Sequence, residues 1–307
     1  MKKILPYIAI SIAASLWGLI AIFVRGLKES GLNEMEIVMI RVSFATVFLL
    51  IIGFTRYRNS LKIDIRKIHL FVGTGVLSIL FFNWCYFTAI NMMNISFAVI
   101  LLYTSPAFVT ILSFLFLKES LHAKKIIAVV GTIIGCILIA GVQSNDTSSI
   151  TLAGVIIGLG AGLGYALYSI FGKIALRHYE PFTVTLYTFL VATVALLPFS
   201  GIWSKISILL DPTVLLYSVG LGLLPTVVAY FLYTWGLEKT ESSIASVIAT
   251  VEPIVATLVG LIIYSETIGG IQIVGSLLIL ISVIIVNLPK RGKGLAASEN
   301  IKKAPIQ

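Results

Sequence analysis

The chain has 307 residues, of which 58% are hydrophobic and only 11% are charged, and its mean hydropathy is +1.05. A soluble domain carries roughly 25% charged residues, so this composition excludes a soluble domain and indicates a membrane protein. The formal net charge of +9 would suit nucleic acid, but the basic residues lie in short segments between apolar runs, so we expect no nucleic-acid partner. Cys85 and Cys136 lie inside apolar runs, where cysteine behaves as a small hydrophobe, and we expect neither a metal nor a cofactor.

Ten apolar runs are long enough to cross a bilayer, because a helix of about 20 residues spans the ~30 Å hydrocarbon core. In chain order the predicted helices are Leu5–Val24, Glu36–Phe54, Leu70–Ile90, Ile95–Leu117, Ile126–Val142, Thr151–Gly172, Phe182–Ser200, Val214–Gly236, Ile244–Tyr264 and Gly270–Leu288. The first run follows Lys2 and Lys3 as a signal peptide would, but it is long enough to span and has a partner in the repeat described below. The pattern predicts an all-α membrane protein with ten transmembrane helices.

The loops predict the orientation of these helices, because cytoplasmic loops carry the excess of Lys and Arg. With the amino terminus inside the cell, 18 Lys and Arg residues fall in inside segments and 3 in outside segments, while Arg41 remains within a helix. We therefore expect a multi-pass protein of the plasma (inner) membrane with both termini in the cytoplasm. The polar segment Gln143–Ser149 has no Lys or Arg and fits an outside turn, and residues 290–307 are the predicted cytoplasmic tail.

The two halves of the chain repeat each other. At an offset of 147 residues the matched pairs are Ser96 with Ser243, Ala98 with Ala245, Pro106 with Pro253, Thr110 with Thr257, and Glu119 with Glu266. At offsets of 147 or 148 the further pairs are Trp17 near Tyr165, Phe23 with Phe171, Arg25 with Lys173, Tyr86 with Tyr233, and Ala89 with Gly236. Each half, residues 1–142 and residues 151–289, holds five predicted helices, and because five is odd the second half enters the membrane from the opposite side. Such an inverted repeat is typical of secondary transporters, whose binding site lies near the midplane between the halves.

Several of these residues give the chain a resemblance to a known family. They are the paired segments Pro106 to Glu119 and Pro253 to Glu266, Trp17-Gly18, Arg41, Tyr86 to Ala89 leading into Ser96, and Glu252-Pro253. From Leu5 to Leu288 the chain resembles the EamA-like family of the drug/metabolite transporter superfamily. The resemblance implies two five-helix bundles around a central cavity and alternating access. Related families move amino acids, other metabolites, nucleotide sugars and drugs, and we expect efflux of amino acids or similar metabolites.

Two charged side chains lie well inside predicted helices. Glu252 is eight residues from Ile244, about 12 Å along the helix, and so near the middle of the bilayer. A charge at that depth costs about 2.5–3.5 kcal/mol, so Glu252 is a candidate for exchanging a coupling proton or for binding a substrate amine. The alternative is a structural hydrogen-bonding group. Arg41, about 7.5 Å deep, either extends to the interface, pairs with a carboxylate or binds an anionic group of the solute.

Prolines and deep polar or aromatic side chains complete the candidate site. Pro106 and Pro253 hold the same register in the two halves, and we predict that they bend helices that line the cavity, although static packing would leave the same pattern. The other side chains assigned to the substrate cavity are Trp17, Asn83, Trp84, Tyr103, Tyr168, Tyr230 and Tyr233. A deep tyrosine hydroxyl needs a partner, so as a set these residues favour a cavity for a partly apolar solute or an amine, with some serving only in packing.

Two other classes of membrane protein fit the sequence less well. An intramembrane enzyme needs an acid–base pair, a nucleophile with its base or a metal cluster at depth, and no histidine lies well inside a predicted helix. A channel needs a ring of like charges or a filter, which the sequence lacks. No Walker motif is present, so the energy must come from a gradient, through proton exchange or facilitated flow. We predict a secondary transporter rather than an enzyme, with drug, multidrug or nucleotide-sugar transport as the alternative within that class.

Overall fold

The computed structural model describes residues 4–140, 151–205 and 207–287, and within these ranges all regular secondary structure is helical. The predicted turn Gln143–Ser149 and the tail at residues 290–307 lie outside the described residues. Nine helices in the described ranges are long and apolar enough to cross a membrane, and a tenth apolar helix of 16 residues follows the sixth of them. In chain order they are α1 Leu5–Glu29, α2 Glu34–Arg56, α3 Ile65–Met92, α4 Ile95–Leu117, α5 Ala123–Ala140, α6 Leu152–Ala175, α7 Pro181–Leu196, α8 Pro212–Lys239, α9 Ser242–Tyr264 and α10 Gly270–Asn287.

Local sequence signals explain where these helices begin and end. Asn33 caps α2 in a capping box: its side chain accepts from the Glu36 N–H at 2.9 Å, and the Glu36 carboxylate accepts from the Asn33 N–H at 2.7 Å. The prediction that α7 extends to Ser200 is wrong, because the helix ends at Leu196. Pro198 explains the difference, because it has no backbone N–H with which to continue the helical hydrogen bonds.

Two helices, α4 and α9, break in the middle of the membrane. Helix α4 consists of Ile95–Leu102 and Ser105–Leu117, and α9 consists of Ser242–Ala249 and Glu252–Tyr264. In each helix the proline, Pro106 or Pro253, is the second residue of the second segment. The first N–H groups of a helical segment have no partner within the helix, so a proline costs little at that position. Each proline therefore begins a new segment rather than bending a continuous helix.

Three further spanning helices depart from regular α geometry. Helix α1 consists of Leu5–Gly18 and Ile20–Glu29. Helices α3 and α8 each contain a π-helical stretch, Gly73–Leu80 and Leu223–Val228, at overlapping positions of the two repeats. π-Helical turns occur frequently at functional sites, and each of these two lies in the middle part of its helix.

Close packing between helices depends on small residues. Helices α5 and α10 pack against each other at Gly135 and Gly275, where a Cβ on either residue would lie 2.8 or 2.6 Å from the carbonyl oxygen of the other. The other helices surround the middle of the bundle: α1 packs against α8 and α9, α6 against α3 and α4, and α2 against α7 and α8. The largest buried cluster, which includes Val42, Leu186 and Leu221, lies between α2, α7 and α8.

Alternate crossing of the helices defines the two membrane faces. Helix α1 begins at one face, which we call the amino-terminal face, and α4, α6 and α8 end there. Helix α2 begins at the other face, which we call the opposite face. With ten helices in two groups of five, the second group starts from the opposite face, and the two halves are therefore inverted relative to each other.

Candidate functional site

A cavity of about 280 Å³ lies in the middle of the bundle, lined by residues of α1, α2, α3, α4, α8 and α9. Its polar and charged lining residues are Glu34, Arg41, Asn83, Tyr86, Tyr103 and Glu252. Glu34 is the first residue of α2, and its side chain is 40% exposed and pairs with Lys28 at 2.6 Å. The cavity therefore extends from the middle of the membrane to the opposite face.

Glu252 lies at the break in α9, where it is the first residue of the second helical segment. It is ten residues from Ser242, about 15 Å along the helix and so halfway across the bilayer. The start of a helical segment favours a carboxylate, because the helix dipole is positive there. The hydroxyl of Tyr165 in α6 donates to this carboxylate at 3.2 Å. Among the described residues no cation lies within 4.0 Å of it, so its direct protein partner is neutral.

Arg41 reaches the same cavity from α2. Its Nε donates to the Thr226 hydroxyl at 2.9 Å, and its guanidinium lies 5.7 Å from the centre of the Tyr230 ring. Thr226 belongs to the π-helical turn of α8 and donates its own proton to the Leu221 carbonyl at 2.7 Å. The ion-pair alternative for Arg41 is not what the structure shows, because no carboxylate of the described ranges lies within 4.0 Å of the guanidinium.

Toward the amino-terminal face the cavity ends at four packed aromatic residues. We call them the aromatic plug: Trp17, Tyr168, Tyr230 and Tyr233. Trp17 packs against both Tyr230 and Tyr233 with 5.1 Å between ring centres, and the Tyr168 hydroxyl lies 2.7 Å from that of Thr234. The space that these four residues line together with neighbours from α3 and α6 is about 20 Å³, room for one water molecule. The plug closes the cavity on this side.

The predicted site residues fall into three groups. Those at the cavity wall are Trp17, Arg41, Asn83, Tyr103 and Glu252, and the aromatic plug adds Tyr168, Tyr230 and Tyr233. Pro106 and Pro253 are buried at the helix breaks, and neither lines the cavity. The prediction that Trp84 lines the cavity is wrong, because this residue lies outside the cavity with 52% of its surface exposed. Its neighbour Asn83 faces the cavity instead, because successive residues of a helix point about 100° apart.

The cavity also contains residues that were not assigned to it from the sequence. Tyr86 and Phe82 line its wall, Glu34 stands at its mouth, and Tyr165 and Thr226 hold the two charged side chains. A signal existed for Tyr165, because it matches Trp17 in the repeat at an offset of 148. No comparable signal marks Thr226, which is one of many threonines in apolar runs.

A ten-helix bundle whose central cavity has an apolar wall, two charged side chains at depth and one open end is the architecture of a membrane transporter of small molecules. The family model of the EamA-like transporters matches residues 4–141 and 152–288 of this chain. The chain belongs to the EamA-like transporter family, within the drug/metabolite transporter superfamily. It is therefore a multi-pass integral membrane protein that acts on a small-molecule solute in a lipid bilayer, and it is not an enzyme.

Individual relatives agree with this assignment. An uncharacterized transporter of Archaeoglobus fulgidus is 28% identical over 277 residues, which cover 90% of this chain and 94% of the relative. The threonine/homoserine exporter RhtA of Salmonella typhimurium is 26% identical over 234 residues, covering 76% of this chain and 75% of that protein. A crystal structure of another protein superposes with a TM-score of 0.76 at 16% identity, covering 92% of this chain and 96% of the other, and so shares its fold.

Proposed function

We propose that this protein exports amino acids or closely related small zwitterions across the plasma membrane by alternating access. The observation that carries the proposal is that the carboxylate of Glu252 and the guanidinium of Arg41 line the same cavity, and each is held by a neutral hydroxyl, whereas Glu34 at the mouth pairs with Lys28. Neither Glu252 nor Arg41 makes an ion pair among the described residues. A charge inside the membrane without a counter-charge is costly, and an amino acid compensates both charges at once, with its ammonium on Glu252 and its carboxylate on Arg41.

The size of the cavity favours a small solute. Pockets for drug-sized ligands have volumes of about 300–1,000 Å³, and this cavity has about 280 Å³. Its apolar wall, which includes Trp17, Phe82 and Phe87, suits the side chain of an amino acid. The relative named as a threonine/homoserine exporter supports the same class of solute.

The transport cycle follows from the closed and open ends of the cavity. The excess of Lys and Arg at the amino-terminal face supports a cytoplasmic position for that face, so the present cavity opens to the outside. Opening of the aromatic plug, together with closure near Glu34, would expose the same cavity to the cytoplasm. Glu252 binds the solute ammonium in one half of the cycle and a proton in the other, which couples efflux to proton entry.

The proposal is tested in liposomes with three related solutes: an amino acid, the amine that lacks its carboxylate, and the acid that lacks its amino group. Solute flux and internal pH are followed together under an imposed pH gradient. The variants are Glu252→Gln and Arg41→Gln. The matched control is Glu29→Gln, which makes the same change at an exposed position at the end of α1, outside the cavity.

We expect the wild type to move the amino acid best, with a counterflow of protons. Glu252→Gln abolishes that counterflow and weakens transport of the amino acid and the amine, whereas Arg41→Gln weakens transport of the amino acid and the acid. Glu29→Gln behaves as the wild type. Equal transport of the amine and the amino acid would contradict recognition of a zwitterion. If neither the pH gradient nor Glu252→Gln changes the solute flux, transport is not coupled to protons. Preference for a neutral drug or a nucleotide sugar would support the alternative within the family.

A further inference from the structure

A polar cluster at the amino-terminal face holds the turn between α8 and α9. The carboxylate of Glu119, just after α4, accepts from the N–H groups of Ser242 and Ser243 at 2.5 and 3.2 Å and from the Ser243 hydroxyl at 2.6 Å. Lys125 lies 3.6 Å from the same carboxylate, whose side chain is only 9% exposed. Glu119 thus links the first half of the chain to the start of α9 in the second half.

Helix α9 depends on this contact because its own cap is missing. Its N-cap residue, Glu241, makes no side-chain hydrogen bond to the first turn. The first N–H groups of a helix need partners, and a carboxylate is favoured there by the helix dipole. Glu119 supplies that carboxylate from the other half of the molecule.

A lysine holds the other side of the same turn. The ammonium of Lys173, near the end of α6, donates to the carbonyls of Leu237, Glu238 and Thr240 at 2.6, 3.1 and 2.6 Å. These carbonyls close the end of α8, where the helix dipole favours a cation. An anion at the start of α9 and a cation at the end of α8 therefore fix the turn from both sides.

The repeat places a second pair of the same kind at the opposite face: Glu266 matches Glu119, and Arg25 matches Lys173. The backbones around the two glutamates are alike. Each follows a residue in the left-handed conformation, Lys118 with φ 57° and Ser265 with φ 54°, and each N–H bonds the carbonyl six residues back, at 3.1 and 3.0 Å. The two carboxylates therefore start from equivalent positions.

The partners of the second pair are different. Glu266 is 53% exposed and pairs with Arg25 at 2.7 Å, while the Arg25 guanidinium lies 3.8 Å from the centre of the Tyr264 ring. The turn between α3 and α4, which matches the turn held by Glu119, is capped by its own Asn94, which accepts from the Ser96 N–H at 2.9 Å. Among the described residues, Glu119 and Lys173 bond the turn at the closed face, whereas Glu266 and Arg25 pair with each other at the open face.

We propose that these two pairs are alternating latches of the transport cycle, an inference that rests on the alternating access proposed above. When the cavity opens to the amino-terminal face, Glu266 leaves Arg25 and binds the start of α4 at Ser96, and Arg25 binds the carbonyls at the end of α3. Glu119 and Lys173 then release the turn between α8 and α9. Each state holds one turn with a carboxylate and a cation, so the two states remain close in free energy and both are accessible.

Disulfide trapping tests the exchange without any solute. Cys85 and Cys136 are replaced by alanine, and Glu266→Cys is combined with Ser96→Cys in purified protein under mild oxidation. Formation of the disulfide is followed by the loss of free thiols in the unfolded chain. We expect this pair to cross-link, and to cross-link several-fold faster when Glu119→Gln removes the latch that holds the present state. Ser243→Ala, which removes one hydroxyl donor and leaves the carboxylate, accelerates it to a smaller extent.

Glu29→Gln is the matched control and leaves the cross-linking rate unchanged. The proposal is overturned if the Glu266→Cys and Ser96→Cys pair does not cross-link. It is also overturned if neither Glu119→Gln nor Ser243→Ala changes the cross-linking rate. In both cases a cooperative thermal transition must show that the variant protein is folded. The measurement needs no transported molecule, so a wrong solute class does not affect it. Failure of the latch exchange and failure of amino-acid export are therefore distinguishable.

Discussion

The hydroxyl of Tyr165 donates to the carboxylate of Glu252 across 3.2 Å and joins α6 to α9 at the middle of the membrane. The repeat position of Glu252 in the first half is Ser105, and that of Arg41 in the second half is Thr188. Neither Glu252 nor Arg41 therefore has a charged counterpart in the other half of the chain, although the two halves repeat each other. This asymmetry suits a solute with two different ends, which binds in a single orientation.

Removal of the Tyr165 hydroxyl tests whether it positions Glu252. A hydrogen bond to a charged group is worth about 1.5–3 kcal/mol, and 1.4 kcal/mol corresponds to about tenfold in binding or rate. We expect Tyr165→Phe to lower kcat/KM for the solute at least tenfold while the protein stays folded. Tyr187→Phe is the control, because its hydroxyl bonds the Leu61 carbonyl away from the cavity. An unchanged kcat/KM in Tyr165→Phe would show that Glu252 needs no positioning.

Thr226 is expected to set the position of the Arg41 guanidinium. Thr226→Val keeps the shape of the side chain and removes the hydroxyl that accepts from Arg41 at 2.9 Å. A hydrogen bond to a charged group is worth about 1.5–3 kcal/mol, so we expect the KM for solutes with a carboxylate to rise at least about tenfold. The KM of an amine without a carboxylate stays constant. Equal losses for both solutes would indicate a general packing defect, and Thr193→Val in α7 controls for the loss of a threonine hydroxyl elsewhere.

The helices could be predicted from the sequence because long apolar runs have few alternatives in a bilayer. The positions of Pro106 and Pro253 also predicted irregular helices, and the structure shows that each of these helices consists of two segments. A proline in a continuous helix bends it, whereas these two begin new segments after Leu102 and Ala249. The difference depends on where the preceding segment stops, which the packing around it decides.

The two charges of the site were found because a charge inside an apolar run is expensive and stands out. Their partners were not found, since they come from distant parts of the chain: Tyr165 is 87 residues from Glu252, and Thr226 is 185 residues from Arg41. The sequence also did not show which side of each helix faces the cavity. Asn83 and Trp84 are neighbours, and only the packed bundle shows that the first lines the cavity and the second does not.

Gly162 in α6 is expected to be essential for the approach of α4. A Cβ at this position would lie 2.7 Å from the Leu101 carbonyl oxygen and 2.8 Å from the Thr104 hydroxyl, and a carbonyl oxygen of the backbone cannot move aside cheaply. We expect Gly162→Ala to destabilise the protein by about 1–3 kcal/mol, measured as a lower thermal midpoint in detergent. Gly172→Ala in the same helix is the control, because its nearest neighbour would be 3.5 Å away. A similar midpoint shift for both variants would contradict the packing argument.

The Glu119 latch predicts how the stability of the present state depends on pH. Burial by itself raises the pKa of Glu119, but hydrogen bonds from Ser243 and Ser242 and the charge of Lys125 outweigh it and hold the pKa below its ordinary value of 4.5. A carboxylate whose pKa is lowered by folding contributes stability above its unfolded pKa, and that contribution is lost as the pH falls through the lowered value. The latch is therefore intact at neutral pH and weakens only below pH 4.5.

We expect the thermal midpoint of the wild type to fall on acidification below pH 4.5, and that of Glu119→Gln to start lower at neutral pH and fall less. The amide of the variant keeps the size of the side chain but has no charge to lose, so the difference between the two proteins narrows with acid. Glu29→Gln should follow the wild type, because Glu29 is exposed and lies away from the latch. If the midpoints of the wild type and Glu119→Gln fall in parallel, the charge of Glu119 does not stabilise the closed amino-terminal face.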